Sequence, residues 1–78
     1  MPGKRVQPAD VLRAIAAHVD EYGWPPTLDE LAEATGLAAK SCVFYHLTQL
    51  EAQGFIRRGR GARMIALTDR GRRAIERR

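Results

Sequence analysis

The chain has 78 residues, 45% of them hydrophobic and 28% charged, with a net charge of +4. At roughly 100–200 residues per domain this is one domain with a modest core, and its composition is that of a globular chain rather than a disordered one. No apolar run approaches the roughly 20 residues of a membrane span, and no apolar stretch of the secretory kind follows Met1 to Arg5. The single cysteine, Cys42, allows no internal disulfide and no cysteine-based zinc site. A reducing cytoplasm is therefore the expected compartment.

Charge is unevenly placed. Residues 1–53 hold four basic and seven acidic side chains, whereas residues 54–78 hold nine basic and two acidic, a local net of +7. A small domain with a pI near 10.0 and clustered arginines has the electrostatic footprint of a nucleic-acid binder.

Residues 1–7, with Lys4 and Arg5 and no apolar pattern, are expected to form a flexible basic arm. A first helix starts near Pro8, which the first turn tolerates, with Asp10 near its positive end. Val11, Leu12, Ile15, Val19 and Tyr22 form its apolar stripe, and Gly23 lies past its end. Trp24 then precedes Pro25-Pro26, which hold an extended connection. Trp24 is expected in the core or as a lid on the first helix.

Thr27 and Glu30 make a T-x-x-E capping box for a second helix that Gly36 stops. After a short turn, Leu37-Ala38-Ala39, a third helix is expected from Lys40 to Gln53, with Gly54 as its stop. Val43, Leu47 and Leu50 set its inner face, which turns Ser41, Phe44, Tyr45 and Thr48 the other way. The period then becomes alternating. Phe55 to Arg58 and Arg63 to Leu67 read as two strands around the turn Gly59-Arg60-Gly61-Ala62. Thr68 can cap a last helix from Asp69 to about Arg77, with Ala74 and Ile75 as a small apolar patch.

This order is that of a winged helix-turn-helix: an α+β fold, mostly α, of three helices, a C-terminal β-hairpin wing and a short final helix. Its parts are the arm 1–7, the winged helix 8–67 and the helix with basic tail 68–78. The Gly-containing turn before the third helix suits the helix-turn-helix, whose second helix enters the major groove.

Specific stretches carry a resemblance. They are Tyr22-Gly23-Trp24-Pro25-Pro26-Thr27, Glu30-Leu31-Ala32-Glu33, Gly36-Leu37-Ala38, Ser41, Val43, His46-Leu47, Leu50-Glu51 and Gly54-Phe55-Ile56-Arg57-Arg58. Across residues 8–67 the chain resembles the DNA-binding domain of LexA-type repressors. The resemblance implies double-stranded DNA as partner and Ser41 among the residues that contact bases or phosphates. Full-length members continue into a self-cleaving serine/lysine protease and dimerisation domain. This chain carries no Ala-Gly cleavage site for such a domain and no catalytic Ser-Lys pair, so self-cleavage is not expected of it. Leu67-Thr68-Asp69-Arg70-Gly71-Arg72 instead resembles the entry to the last helix of other small winged-helix regulators, where that helix often serves dimerisation. Phe44 and Tyr45 stand where the family uses polar or small residues.

The candidate DNA contacts fall in three groups. On the third helix they are Lys40, Ser41, Phe44, Tyr45 and Thr48, the aromatics suited to thymine methyl groups and the others to phosphates or base edges. An alternative has one aromatic packed under the wing and the other left exposed. For Ser41 the alternative is a local cap. Thr27 stands at a helix N-terminus, a natural phosphate site, and caps that helix at the same time. On the wing the candidates are Arg57, Arg58, Arg60 and Arg63, with Arg60 able to enter a minor groove. Arg70, Arg72 and Arg73 either face DNA or neutralise the last helix. Ile75 and that helix are a candidate homodimer interface.

Cys42 reads as a small hydrophobe before a redox switch, and His46 as a packed histidine. No catalytic constellation, metal site, cofactor or small-molecule site is legible, so an enzyme is not expected. The expected function is sequence-specific DNA binding by a transcriptional regulator, a repressor. The rivals are an architectural DNA-binding accessory factor and a protein-interaction winged helix.

Overall fold

The computed structural model describes residues 6–37, 39–59 and 65–76. Four helices and one hairpin follow in the order α1 (Pro8–Tyr22), α2 (Leu28–Thr35), α3 (Lys40–Ala52), β1 (Ile56–Arg58), β2 (Ile65–Leu67) and α4 (Asp69–Glu76). The fold is a winged helix-turn-helix, mostly α. Arg60, Arg63, Ala38 and most of the expected N-terminal arm lie outside the described residues. Val6, the sixth residue of that arm, packs against the core.

Local chemistry sets most of these boundaries. At the start of α1 the backbone N–H of Gln7 donates to the Asp10 carboxylate at 2.9 Å. The expected capping box of α2 is complete: Thr27 N–H donates to Glu30 Oε1 at 2.9 Å and Glu30 N–H to Thr27 Oγ1 at 3.1 Å. Gly23, Gly36 and Gly54 all have φ between 78° and 85°, the left-handed conformation that ends a helix without a Cβ penalty. Helix α3 stops one residue short of expectation, with Gln53 at its C-cap.

The core joins all three N-terminal helices to the hairpin. Val11, Leu12 and Ile15 of α1 meet Leu31 of α2, Val43, Leu47 and Leu50 of α3, and Ile56 and Ile65 of the strands. Burying side chains of this size contributes about 1.5–3 kcal/mol each. The apolar stripe of α1 ends at Val19, however. Tyr22 is exposed, and Trp24 beyond it is not in the core. Trp24 lies over the end of α1, its ring stacked on Tyr22 at 6.1 Å.

The hairpin is antiparallel, with Ile56 opposite Leu67, Arg57 opposite Ala66 and Arg58 opposite Ile65. Alternation puts Ile56, Arg58, Ile65 and Leu67 on one face and Arg57 and Ala66 on the other. The first face is against the core.

Helix α4 packs back on α1 and closes the joint between α3 and the wing. Thr68 caps it, accepting from Gly71 N–H at 3.0 Å, while its hydroxyl donates to the Gly54 carbonyl at 2.7 Å. Gly71 is buried, and a Cβ there would lie 2.1 Å from the Phe55 carbonyl oxygen. Only glycine allows the last helix to approach the strand this closely. Ile75 packs against the core within its own chain, whereas Ala74 is exposed. Among the described residues no helix is long and apolar enough to cross a membrane.

Candidate nucleic-acid interface

The outer side of α3 is built by subtraction. Val43, Leu47 and Leu50 are drawn inward, so helical geometry leaves Lys40, Ser41, Phe44, Tyr45 and Thr48 exposed on the other side. Phe44 is 49% exposed and Tyr45 62%. This is a continuous surface on the second helix of a helix-turn-helix.

Each position has its own chemistry. Lys40 Nζ lies 3.3 Å from Asp29 Oδ1, with both side chains mostly in solvent. Exposed pairs of this kind contribute about 0–1 kcal/mol, so Lys40 can exchange Asp29 for a phosphate at little cost. Ala39, not Ser41, stands at the N-cap, and it makes no side-chain cap bond. The alternative reading of Ser41 as the cap therefore does not apply. Thr48 Oγ1 donates to the Phe44 carbonyl at 2.9 Å. Its one hydroxyl proton is used within the helix, which leaves the oxygen able to accept from a base amino group but not to donate to a phosphate.

The two described wing arginines diverge. Arg57 is exposed on the outer face of the hairpin, and Arg58 lies on the core-side face. The Arg58 guanidinium stands 4.7 Å above the Phe44 ring. That contact, about 0.5–1 kcal/mol at an exposed site, ties the wing to α3 and brings a positive charge to the edge of its outer surface. Phe44 is therefore partly under the wing and Tyr45 is the freer aromatic. Thr27 caps the N-terminus of α2, the helix that Asp29 links to Lys40, with its hydroxyl oxygen already accepting from Glu30 N–H. Arg60 and Arg63, the expected tip contacts, lie outside the described residues.

Two arginines of α4, Arg70 and Arg72, make contacts within the fold. Arg70 Nε donates to the Gln53 carbonyl at 2.9 Å and its guanidinium lies 5.4 Å from the Phe55 ring centre, so it caps the C-terminal end of α3. Arg72 lies 3.6 Å from Asp20 of α1. Sequence reasoning missed the Arg70 cap because the pair is separated by 17 residues. Thr68 and Gly71 were its visible signal. Cys42 is exposed rather than packed, and His46 is half-buried, its Nδ1 without a hydrogen-bond partner. Among the described residues no group of three His, Cys, Asp or Glu side chains could hold a metal ion.

A three-helix core, a Gly-turned helix pair and an arginine-bearing hairpin define the class: a winged helix-turn-helix with its second helix bared. The LexA DNA-binding domain model matches residues 5–63, and the chain belongs to that family. Over 49 residues, 63% of the chain, it is 51% identical to the LexA repressor of Bacillus subtilis. It is 47% identical over the same length to the LexA repressors of Ligilactobacillus salivarius and Caldicellulosiruptor saccharolyticus. The matched stretch spans 24% of each of these curated relatives. Helix α4 lies beyond the residues that the family model matches.

Proposed function

We propose that the chain is a sequence-specific, double-stranded-DNA-binding transcriptional repressor. Helix α3 would lie in the major groove, with Ser41, Tyr45 and Phe44 at base edges and Lys40 and Thr27 at phosphates. Arg57 and Arg58, with Arg60 and Arg63 further along the sequence, would follow the adjacent backbone or groove. Membership of the LexA DNA-binding domain family supports DNA as the partner, and similarity to LexA repressors supports repression. The observation that carries the reading is the outer side of α3. Five candidate residues share one exposed helix face, with Arg58 at its edge.

One module of this size buries roughly 600–1,000 Å² of protein surface on DNA, which favours two copies on a two-fold site. Pairing through α4 around Ile75 is the candidate arrangement, although Ile75 already spends part of its surface on its own core.

Selection of bound sites from a random duplex pool, at low and high salt, tests the reading. A repeated motif is the expected result. With about five phosphates neutralised, the affinity should fall with a log–log salt slope of about −4 to −5. Binding with no motif that vanishes as salt rises would leave only the phosphate attraction and would sink the repressor reading.

A further inference from the structure

Tyr22 and Trp24, 50% and 51% exposed, have no part in the DNA surface. They form a fixed shelf. Their rings stack 6.1 Å apart at 25°, and the His18 ring lies 4.5 Å from that of Tyr22. His18 Nδ1 donates to the Trp24 carbonyl at 2.9 Å, and its Nε2 lies 3.4 Å from Glu30 Oε1. The turn that carries the indole is thus tied to both α1 and α2.

This shelf borders a groove between those two helices. Ala14, Ala17 and Ala34 line its apolar part, and Glu21, Glu30 and Glu33 line its acidic part. At about 100° per residue, these positions lie roughly a third of a turn round from the core-facing Val11, Leu12, Ile15 and Leu31. Its lining residues come from α1, α2 and the turn between them, and none comes from α3.

The lining selects for one kind of side chain. Ring faces attract a cation above them, and carboxylates bond a guanidinium through paired N–H donors. Arginine meets both demands at once, and its apolar stem suits the small alanines. The protein uses the same guanidinium-over-ring pairing twice in its own fold, at Arg58–Phe44 and Arg70–Phe55. The charge is also complementary: the chain is net positive, yet Glu21, Glu30 and Glu33 gather here. We propose that the α1–α2 groove docks an arginine-bearing segment of another protein.

Trp24 is the chain's one tryptophan and reports directly on the groove. Its emission would be followed as the full chain is titrated with a hexa-arginine peptide and, separately, a hexa-lysine peptide. A saturable change is expected, stronger for arginine. The E21K/E33K variant should bind about tenfold more weakly, the size of one lost charge-assisted contact. The E51K/E76K variant, matched in charge but altered outside the groove, should bind hexa-arginine as the parent does. Glu21→Gln with Glu33→Gln replaces the reversal if that variant fails to fold. Absence of a saturable change, equal affinity for the two peptides, or equal losses in the two charge-reversed variants would overturn the proposal. So would concentration-dependent emission of the free protein that E21K/E33K abolishes, since a second copy's arginine-rich end would then fill the groove.

Discussion

Two exposed aromatic pairs stand on different elements of this molecule. Phe44 and Tyr45 lie on α3, and Tyr22 and Trp24 lie at the junction of α1 and α2. The pairs are alike in exposure and differ in neighbours. Arg58 stands over Phe44 and Lys40 lies on the same helix face, whereas Glu21, Glu30 and Glu33 border the other pair. Apolar area of this size argues for a partner without naming it. The charge around each pair does name a chemistry: phosphate for the first, a cation for the second.

The largest expected effect breaks the joint that brings Arg58 to Phe44. Gly71→Ala drives a methyl group into the Phe55 carbonyl, so α4 and the hairpin must separate. Loss of about 1–3 kcal/mol or more is expected in chemical denaturation. The folded protein should keep the parental Trp24 emission, because the other aromatic pair is untouched. Emission that changed with the hairpin would mean that the two sides are not independent.

Arg58→Ala acts on the basic side alone. If the Arg58 charge reaches phosphate, the salt slope of DNA binding should become shallower by about 1, with weaker binding to all sequences. An unchanged slope would confine Arg58 to holding Phe44. Thr27→Ala acts where the two regions meet, by releasing Glu30 N–H from its cap. About 1 kcal/mol of stability should be lost in thermal or denaturant unfolding. The smallest change is a gain. Ala39→Ser supplies the missing cap of α3 and should add about 0.5–1 kcal/mol. A loss instead would show that the start of α3 is held by contacts the serine disturbs.

Much of the fold was legible because its signals are local. A Thr-x-x-Glu box, three glycines that leave helices and a change of period at Phe55 each act within a few residues. The inner and outer sides of α3 follow from spacing alone, so its candidate residues emerge together on one surface. The wing was less legible. Four arginines in a short stretch look alike in sequence, but strand alternation sends Arg57 and Arg58 to opposite faces. Nor could spacing say that Thr48 would spend its proton on Phe44, since a hydroxyl on a helix can turn either way.

The sequence by itself determined where the helices begin and end, which residues face inward along α3, and the family to which residues 5–63 belong. These follow from capping, periodicity and motif, which are written in neighbouring positions. Only the tertiary structure decided that Tyr22 leaves the core at the end of its stripe and that Arg58 covers Phe44. It also decided that Arg70 caps α3 and that Gly71 must stay bare. Those outcomes depend on how closely elements distant in the chain approach one another, and that is set by the packing of the whole core.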